Sequence, residues 1–202
     1  MFLSVFRAMA QYKIVRGMAS YSLLWPCGSL IQQTIEGKTW KTYDWNKCLR
    51  MGFFGTFVIG PSLYMWIRFA NVMWPGRDLK SSVSKALTEQ ISYDPLLITT
   101  FLFGMSLLEG KTISQAKLEV QEKFFDTYKV GAIYWPCVQT INFTLVPQKN
   151  QVVFVSIFSM LWSSFLAYMK HMEIEKIRQK KLDKKQKKLE KQMKKLAENQ
   201  SK

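Results

Sequence analysis

Five stretches of this sequence carry no Asp, Glu, Lys or Arg: 17–35, 51–67, 95–108, 130–148 and 150–169, of 19, 17, 14, 19 and 20 residues. A helix crossing the ~30 Å hydrocarbon layer of a bilayer needs roughly 20 mostly apolar residues. A helix on the surface of a soluble protein keeps a polar stripe toward water. Five uncharged helices cannot all hide in the core that 202 residues can build. The pattern predicts an all-α, multi-pass membrane bundle of four to five spans, with amphipathic connecting helices and a charged C-terminal helix. The window 150–169 is the most apolar, from Val152 to Trp162. The window 95–108 is too short alone and must borrow from its flanks. The competing reading is a soluble basic helical protein, which alkaline extraction would release from membranes.

A mean hydropathy of −0.07 conceals this division. Residues 170–202 hold 13 Lys/Arg and 5 Asp/Glu and lower the average for the whole chain. Three segments follow: a basic amphipathic start at 1–16, a membrane helix bundle at 17–169, and a basic solvated helical tail at 170–202. The tail has acid-to-base pairs at i, i+4, such as Asp183/Lys187 and Glu190/Lys194, which support a helix. Its 13 basic residues oppose translocation. They suit contact with anionic lipid or with the phosphates of RNA and ribosomes; an inert solvated extension is the alternative. The start has Arg7, Lys13 and Arg16 before its first acid, Glu36. Phe2, Val5, Phe6 and Met9 share one helical face. That combination resembles a mitochondrial presequence, or a plain amphipathic helix lying on a membrane. Arg7 interrupts the apolar run before Ala8-Met9-Ala10, which argues against a secretory signal.

Gly52, Gly55 and Gly60 permit close helix approach in lipid, and Trp and Tyr collect near window ends, as interfacial rings do. Leu79, Val83, Leu87 and Ile91 recur every four residues. They predict an amphipathic connecting helix over 79–93, docked on the bundle by that stripe. Gln32 and Gln33 close the first window, and Gln139 and Asn142 lie one turn apart in the fourth. Amides at membrane depth must point inward. They are candidates to line a polar path, or to bond neighbouring helices. Pro26 and Pro136 lie inside helical windows and tend to kink them.

Catalytic chemistry has little to work with. The one histidine, His171, sits in the tail, so metal clusters and His-based triads are not expected. Phosphate- and dinucleotide-binding glycine motifs are missing. Cys27, Cys48 and Cys137 are too scattered for a disulfide framework. No enzyme activity and no cofactor is expected.

The segment Trp135-Pro136-Cys137-Val138-Gln139-Thr140-Ile141-Asn142-Phe143-Thr144-Leu145-Val146-Pro147 resembles the W-P-x-x-Q-x-x-N-F-x-x-V-P signature of the Mpv-seventeen and twenty-two-kilodalton peroxisomal membrane protein family. Gly60-Pro61 followed by Trp66, and Trp162 in an apolar helix, are similar to the family's pattern as well. Leu108-Glu109-Gly110-Lys111 and Phe125-Asp126-Thr127-Tyr128 look closest to its Mpv-seventeen-like branch. The resemblance runs from about residue 15 to 170. It implies a four-span protein of the inner mitochondrial membrane, or alternatively of the peroxisomal membrane. It also implies weakly selective channel activity linked to metabolite and reactive-oxygen homeostasis. Gln32, Gln33, Gln139 and Asn142 are then the candidate pore-lining residues, and a homo-oligomer is a further expectation. A second implied role is a membrane-anchored scaffold whose basic tail recruits a mitochondrial ribosome or nucleoid. The chain departs from the family in three places. The family's Gly-Asp reads Gly28-Ser29, its His after Gly-Pro is Tyr64, and the Arg expected four residues after the signature proline is Gln151. Loss of the acid and the base together suggests a missing ion pair or gating contact.

Overall fold

Proline and glycine set the punctuation of this fold. The computed structural model describes residues 13–165 and, beyond them, the single positions Tyr168, Gln179, Leu182 and Gln186. Every regular element among the described residues is helical: α1 (Lys13–Ile35), α2 (Trp45–Phe54), α3 (Gly60–Met73), α4 (Leu79–Thr88), α5 (Asp94–Leu108), α6 (Ile113–Leu145) and α7 (151–165). Two π-helical turns, Gly55–Ile59 and Glu89–Tyr93, fuse α2 to α3 and α4 to α5. Each is followed within two residues by a proline, Pro61 and Pro95. A proline ring crowds the carbonyl four residues back, here Phe57 and Ile91, and offers no N–H. The ladder widens instead of breaking, with Gly60 N–H donating to Gly55 O and Asp94 N–H to Glu89 O.

The rods end by local chemistry. Gly37 and Gly110 take φ of 83° and 80° just past α1 and α5. There Lys38 N–H reaches Gln33 O at 3.0 Å and Lys111 N–H reaches Ser106 O at 3.1 Å. This is the left-handed C-terminal cap that glycine adopts without a Cβ penalty. Asp44 and Asp78 cap the starts of α2 and α4 by accepting from Lys47 N and Ser81 N at 2.8 and 3.1 Å. Thr112 and Gln115 form a reciprocal capping box at the start of α6.

Five rods result, running alternately up and down and closing into a ring. Gly52 faces Pro26 and Gly55 faces Trp25, joining α1 to the α2–α3 rod; an added Cβ would come within 2.9 and 3.0 Å of those rings. Gly104 on α5 receives Phe54. Tyr128 donates to Gln90 O at 3.0 Å, joining α6 to the α4–α5 rod. Tyr134 donates to Phe158 O at 3.0 Å and stacks on Trp162, joining α6 to α7. Gly17 meets Val152 and Gly28 meets Met160, so α7 runs parallel to α1 and completes the ring.

Two sequence expectations change. The connecting helix over 79–93 is no separate element: it is the first half of a continuous 30-residue helix, Leu79–Leu108, which is long and apolar enough to cross a membrane. The window that looked too short does borrow from its flank. The direction of the amphipathic stripe is also reversed. Leu79 and Ile91 are 65% and 75% exposed, and Val83 and Leu87 also face outward, while Ser82, Lys85, Ala86, Glu89 and Gln90 face the interior. The apolar stripe therefore faces out of the bundle and the polar stripe faces in. Lys13 already lies in α1, so the 1–16 segment and the bundle overlap; the presequence-like residues before it and the tail 170–202, apart from the single positions, fall outside the described residues.

The α5–α6 corner is held by ions. Glu119 accepts from Ser106, from Lys111 Nζ at 2.6 Å and from Lys123 Nζ. Burial acts to raise the Glu119 carboxyl, but hydrogen bonds from Lys111, Lys123 and Ser106 outweigh it and bring it from 4.5 down to about 2. A carboxyl lowered on folding contributes stability above its unfolded value and loses it as pH falls through the folded one. The protection of the 109–112 amides, as the ratio of their unfolded to their observed exchange rate at each pH, should therefore be high above pH 4.5 and fall on acidification toward pH 2. Glu119→Gln should lower that protection at every pH, and a protection factor insensitive to acid would remove this lock.

Candidate functional site

The inward faces of the rods carry polar side chains, and their placement follows from the helical register. On the α4–α5 rod, Ser82, Lys85, Glu89 and Tyr93 follow one another at steps of three to four, so one stripe faces the ring's axis. Glu89 lies on the π turn and is 3% exposed. Its Oε2 accepts from Trp66 Nε1 at 2.8 Å and its Oε1 accepts from Gln139 Nε2. Gln139 Oε1 in turn accepts from Asn142 Nδ2 at 2.9 Å. Tyr93 stacks on Trp66, with ring centroids 5.1 Å apart, and its hydroxyl shares a 2.9 Å hydrogen bond with Ser62. Asp94, the next residue, is buried as well.

A second group closes the end of the bundle above this one. Lys85 Nζ donates to Asn71 Oδ1 at 2.8 Å and to Gly76 O at 2.9 Å, and lies 5.2 Å from the centre of the Phe143 ring. Asn71 Nδ2 donates to Gln151 Oε1 at 3.3 Å, and Gln151 Nε2 donates to the Asn142 and Val146 carbonyls at 3.3 Å. Arg77 reaches Val146 O and Arg16 reaches Asn150 Oδ1, each at 2.8 Å. Asn142 joins the two groups through its side chain on one side and its carbonyl on the other. The result is one buried polar string from Glu89 to Lys85 and back to the rod where it began. No ion pair among the described residues includes Lys85, Glu89 or Asp94.

Gln139 and Asn142 sit at the centre of this string. Both are sealed from solvent, and both bond neighbouring residues. The structure does not bring Gln32 and Gln33 opposite them. Gln33 is buried at the other end of α1, where it clamps Asp44, accepting from its N–H at 2.6 Å and donating to its O at 3.2 Å; Gln32 is only partly buried. Gln33 thereby fixes the α1–α2 return. A glutamine whose task is to grip a loop backbone looks, in sequence, like one that faces a cavity.

The signature residues serve the same string. Trp66 holds Glu89, Phe143 lies beneath Lys85, and Val146 accepts from Arg77 as α6 ends before Pro147. Trp135 packs near Trp162, and Pro136 lies within α6. Gly60 lets the Met18 backbone approach, and Pro61 shapes the π turn before it. Ser29 and Gln151, the positions where an acid and a base are missing, are not partners. Ser29 contacts Gln33 and Cys48, whereas Gln151 lies at the Arg16 end, roughly 18 Å away by the rise of α1. Side chains at these two positions are too far apart for a direct ion pair.

Lys85, Glu89, Asp94, Tyr93 and Asn71 were not singled out from sequence. The signal was present in the stripe opposite Leu79, Val83, Leu87 and Ile91, which sets titratable groups at helical spacing.

A sequence profile of the Mpv17 / PMP22 family matches residues 106–167, which contain α6 and the described part of α7. The "Mpv17-like protein" of Bos taurus is 30% identical over 80% of this chain and 80% of its own. "Protein sym-1" of Neurospora crassa is 28% identical over 73% of this chain and 86% of its own. "PXMP2/4 family protein 4" of Dictyostelium discoideum is 27% identical over 64% of this chain and 70% of its own. No solved structure matches the chain. The shared signature, held by the Glu89 string, and the 30% identity to the bovine relative over most of both chains lead to one assignment: the chain is a membrane protein belonging to the Mpv17 / PMP22 family.

Proposed function

We propose that this chain is a multi-pass, non-enzymatic protein of an organelle membrane that forms or modulates a permeation path along the axis of its bundle. The observation that carries the reading is the inversion of the fold: Lys85, Glu89, Asp94, Gln139, Asn142 and Gln151 lie inside, and Met65, Phe69, Leu87, Ile91 and Ile133 lie outside. Ionisable side chains at membrane depth are costly, face bundle interiors, and mark ion or proton pathways. The structure described above is then the closed state, and conduction requires the rods to part along the string. The two π turns supply positions where the rods can adjust without breaking a ladder.

The mitochondrial inner membrane is the proposed site, with the peroxisomal membrane as the alternative. The basic, acid-free start and the likeness to Mpv17-like and sym-1 proteins favour the first, and the PXMP2/4 relative supports the second. The cellular role that fits is control of metabolite and redox balance across that membrane.

Purified full-length protein in a planar bilayer tests this. Discrete conductance steps are expected. Lys85→Met, which removes the buried cation while keeping its bulk, should move the reversal potential in a salt gradient toward cation selectivity. A silent bilayer, or a Lys85→Met channel with unchanged selectivity, would overturn the axial path.

A further inference from the structure

Glu89 is a carboxyl surrounded by groups that do not neutralise it. Trp66 faces it from α3 and Gln139 from α6, with Asn142 behind Gln139 and Ser62 bonded to Tyr93. From α1 comes the buried Tyr21. Its own rod adds Tyr93 and Asp94 on one side and Lys85 one turn away on the other, the Lys85 ammonium being turned to Asn71 and Gly76. Two acceptors in this cluster lack any donor: Asp94 Oδ2, in a residue 5% exposed, and Asn142 Oδ1, in a residue 0% exposed. A buried carboxylate without a cation is strongly disfavoured, and a buried acceptor without a donor costs about 1–3 kcal/mol.

The stranded Asn142 oxygen is informative. With Glu89 ionised, Gln139 must turn its NH2 to the carboxylate, Asn142 must turn its NH2 to Gln139, and Asn142 Oδ1 is left alone. Primary amides are the same size either way round. If both reverse, Gln139 Nε2 donates to Asn142 Oδ1, and Gln139 Oε1 is presented to Glu89. An oxygen facing an oxygen needs a hydrogen between them. We propose that Glu89 is a reversible proton-binding site, its loaded form held by reversal of the Gln139–Asn142 amide pair. Loading forms one O–H bond on Glu89 and breaks one O–H bond of a hydronium ion, which leaves as water; unloading is the reverse. The Glu89 hydroxyl then donates to Gln139 Oε1, while Trp66 still donates to the other oxygen. Because the site is sealed, the proton exchanges only when the α4–α5 rod and α6 part, so occupancy and opening are linked. The site itself exists whether or not the bundle conducts.

Infrared difference spectra of the full-length protein in phosphatidylcholine vesicles, taken between neutral and alkaline buffer, test this without any conductance measurement. A protonated-carboxyl C=O band should be present at neutral pH and vanish in Glu89→Gln. It should survive in Asp94→Asn. In Trp66→Phe it should move to higher frequency, because one hydrogen bond to the carboxyl is gone; this variant also serves if Glu89→Gln does not fold. No protonated band at neutral pH, a band unaffected by Glu89→Gln, one lost only in Asp94→Asn, or one unmoved in Trp66→Phe would each overturn the assignment.

Discussion

Gln139→Leu is expected to destabilise the detergent-solubilised protein by about 2–4 kcal/mol, although leucine is the more lipid-compatible side chain. The expectation follows from what the amide holds. Its Nε2 donates to Glu89 Oε1, and its Oε1 accepts from Asn142 Nδ2. Leucine leaves both groups buried and without a partner, and each orphaned group costs about 1–3 kcal/mol. The gain from burying leucine is offset, since Gln139 already fills its site. Unfolding in mixed micelles, followed by tryptophan fluorescence, would measure the loss.

The interaction can be separated from the burial by a cycle. Glu89→Leu alone removes the acceptor for both Trp66 and Gln139. Glu89→Leu with Gln139→Leu replaces both ends of the bond by apolar groups, which is commonly close to neutral. The double variant should be more stable than the sum of the singles predicts, with a coupling of about 0.5–3 kcal/mol. Strict additivity would mean that Glu89 and Gln139 do not act as a pair, and the polar string would lose its central link. Such bonds in membrane proteins average only about 0.6 kcal/mol by double-mutant cycles. A coupling near the upper end would mark this one as unusually demanding.

Much of the scaffold can be read from the chain. Each charge-free window corresponds to a helix or part of one, and Gly52, Gly55 and Gly60 lie where rods approach closely. Those features depend on composition and local spacing. The direction in which a helix faces does not, because an amphipathic stripe has two sides and its spacing alone does not say which of them meets the bundle. Reading Leu79, Val83, Leu87 and Ile91 as core-facing assumes water outside. With lipid outside, the same spacing turns Lys85 and Glu89 inward, as the structure has it. Glu89 was obscured further because it ends one half of the rod and lies outside the charge-free windows, where carboxylates resemble loop residues. Whether Gln33 or Gln139 would line a path was also beyond local pattern. Gln33 grips Asp44 across a return and Gln139 grips Glu89 across the ring, and both contacts require the tertiary fold.

Ile91→Lys gives the sharpest test of which solvent surrounds the bundle. Ile91 is 75% exposed and makes no demand on the interior. In water, a lysine at such a surface position changes stability by no more than about 0.5 kcal/mol. In hydrocarbon, a lysine near the middle of a span costs about 2.5–3.5 kcal/mol on insertion, on the order of a hundredfold in the inserted-to-uninserted ratio. Leu79→Lys is the internal control. It is also exposed, but it lies at the helix start beside Asp78 and Lys80, where a lysine can extend to the interface. Synthesis of both variants with liposomes, followed by proteolysis of the exposed segments, should leave the 79–108 helix of Leu79→Lys as protected as in the native chain and lower the protected fraction of Ile91→Lys. Equal protection of the two would mean that position 91 never meets lipid. The outward stripe would then need a protein partner to cover it, and the interior carboxyl would lose the low-dielectric surroundings that make its proton matter.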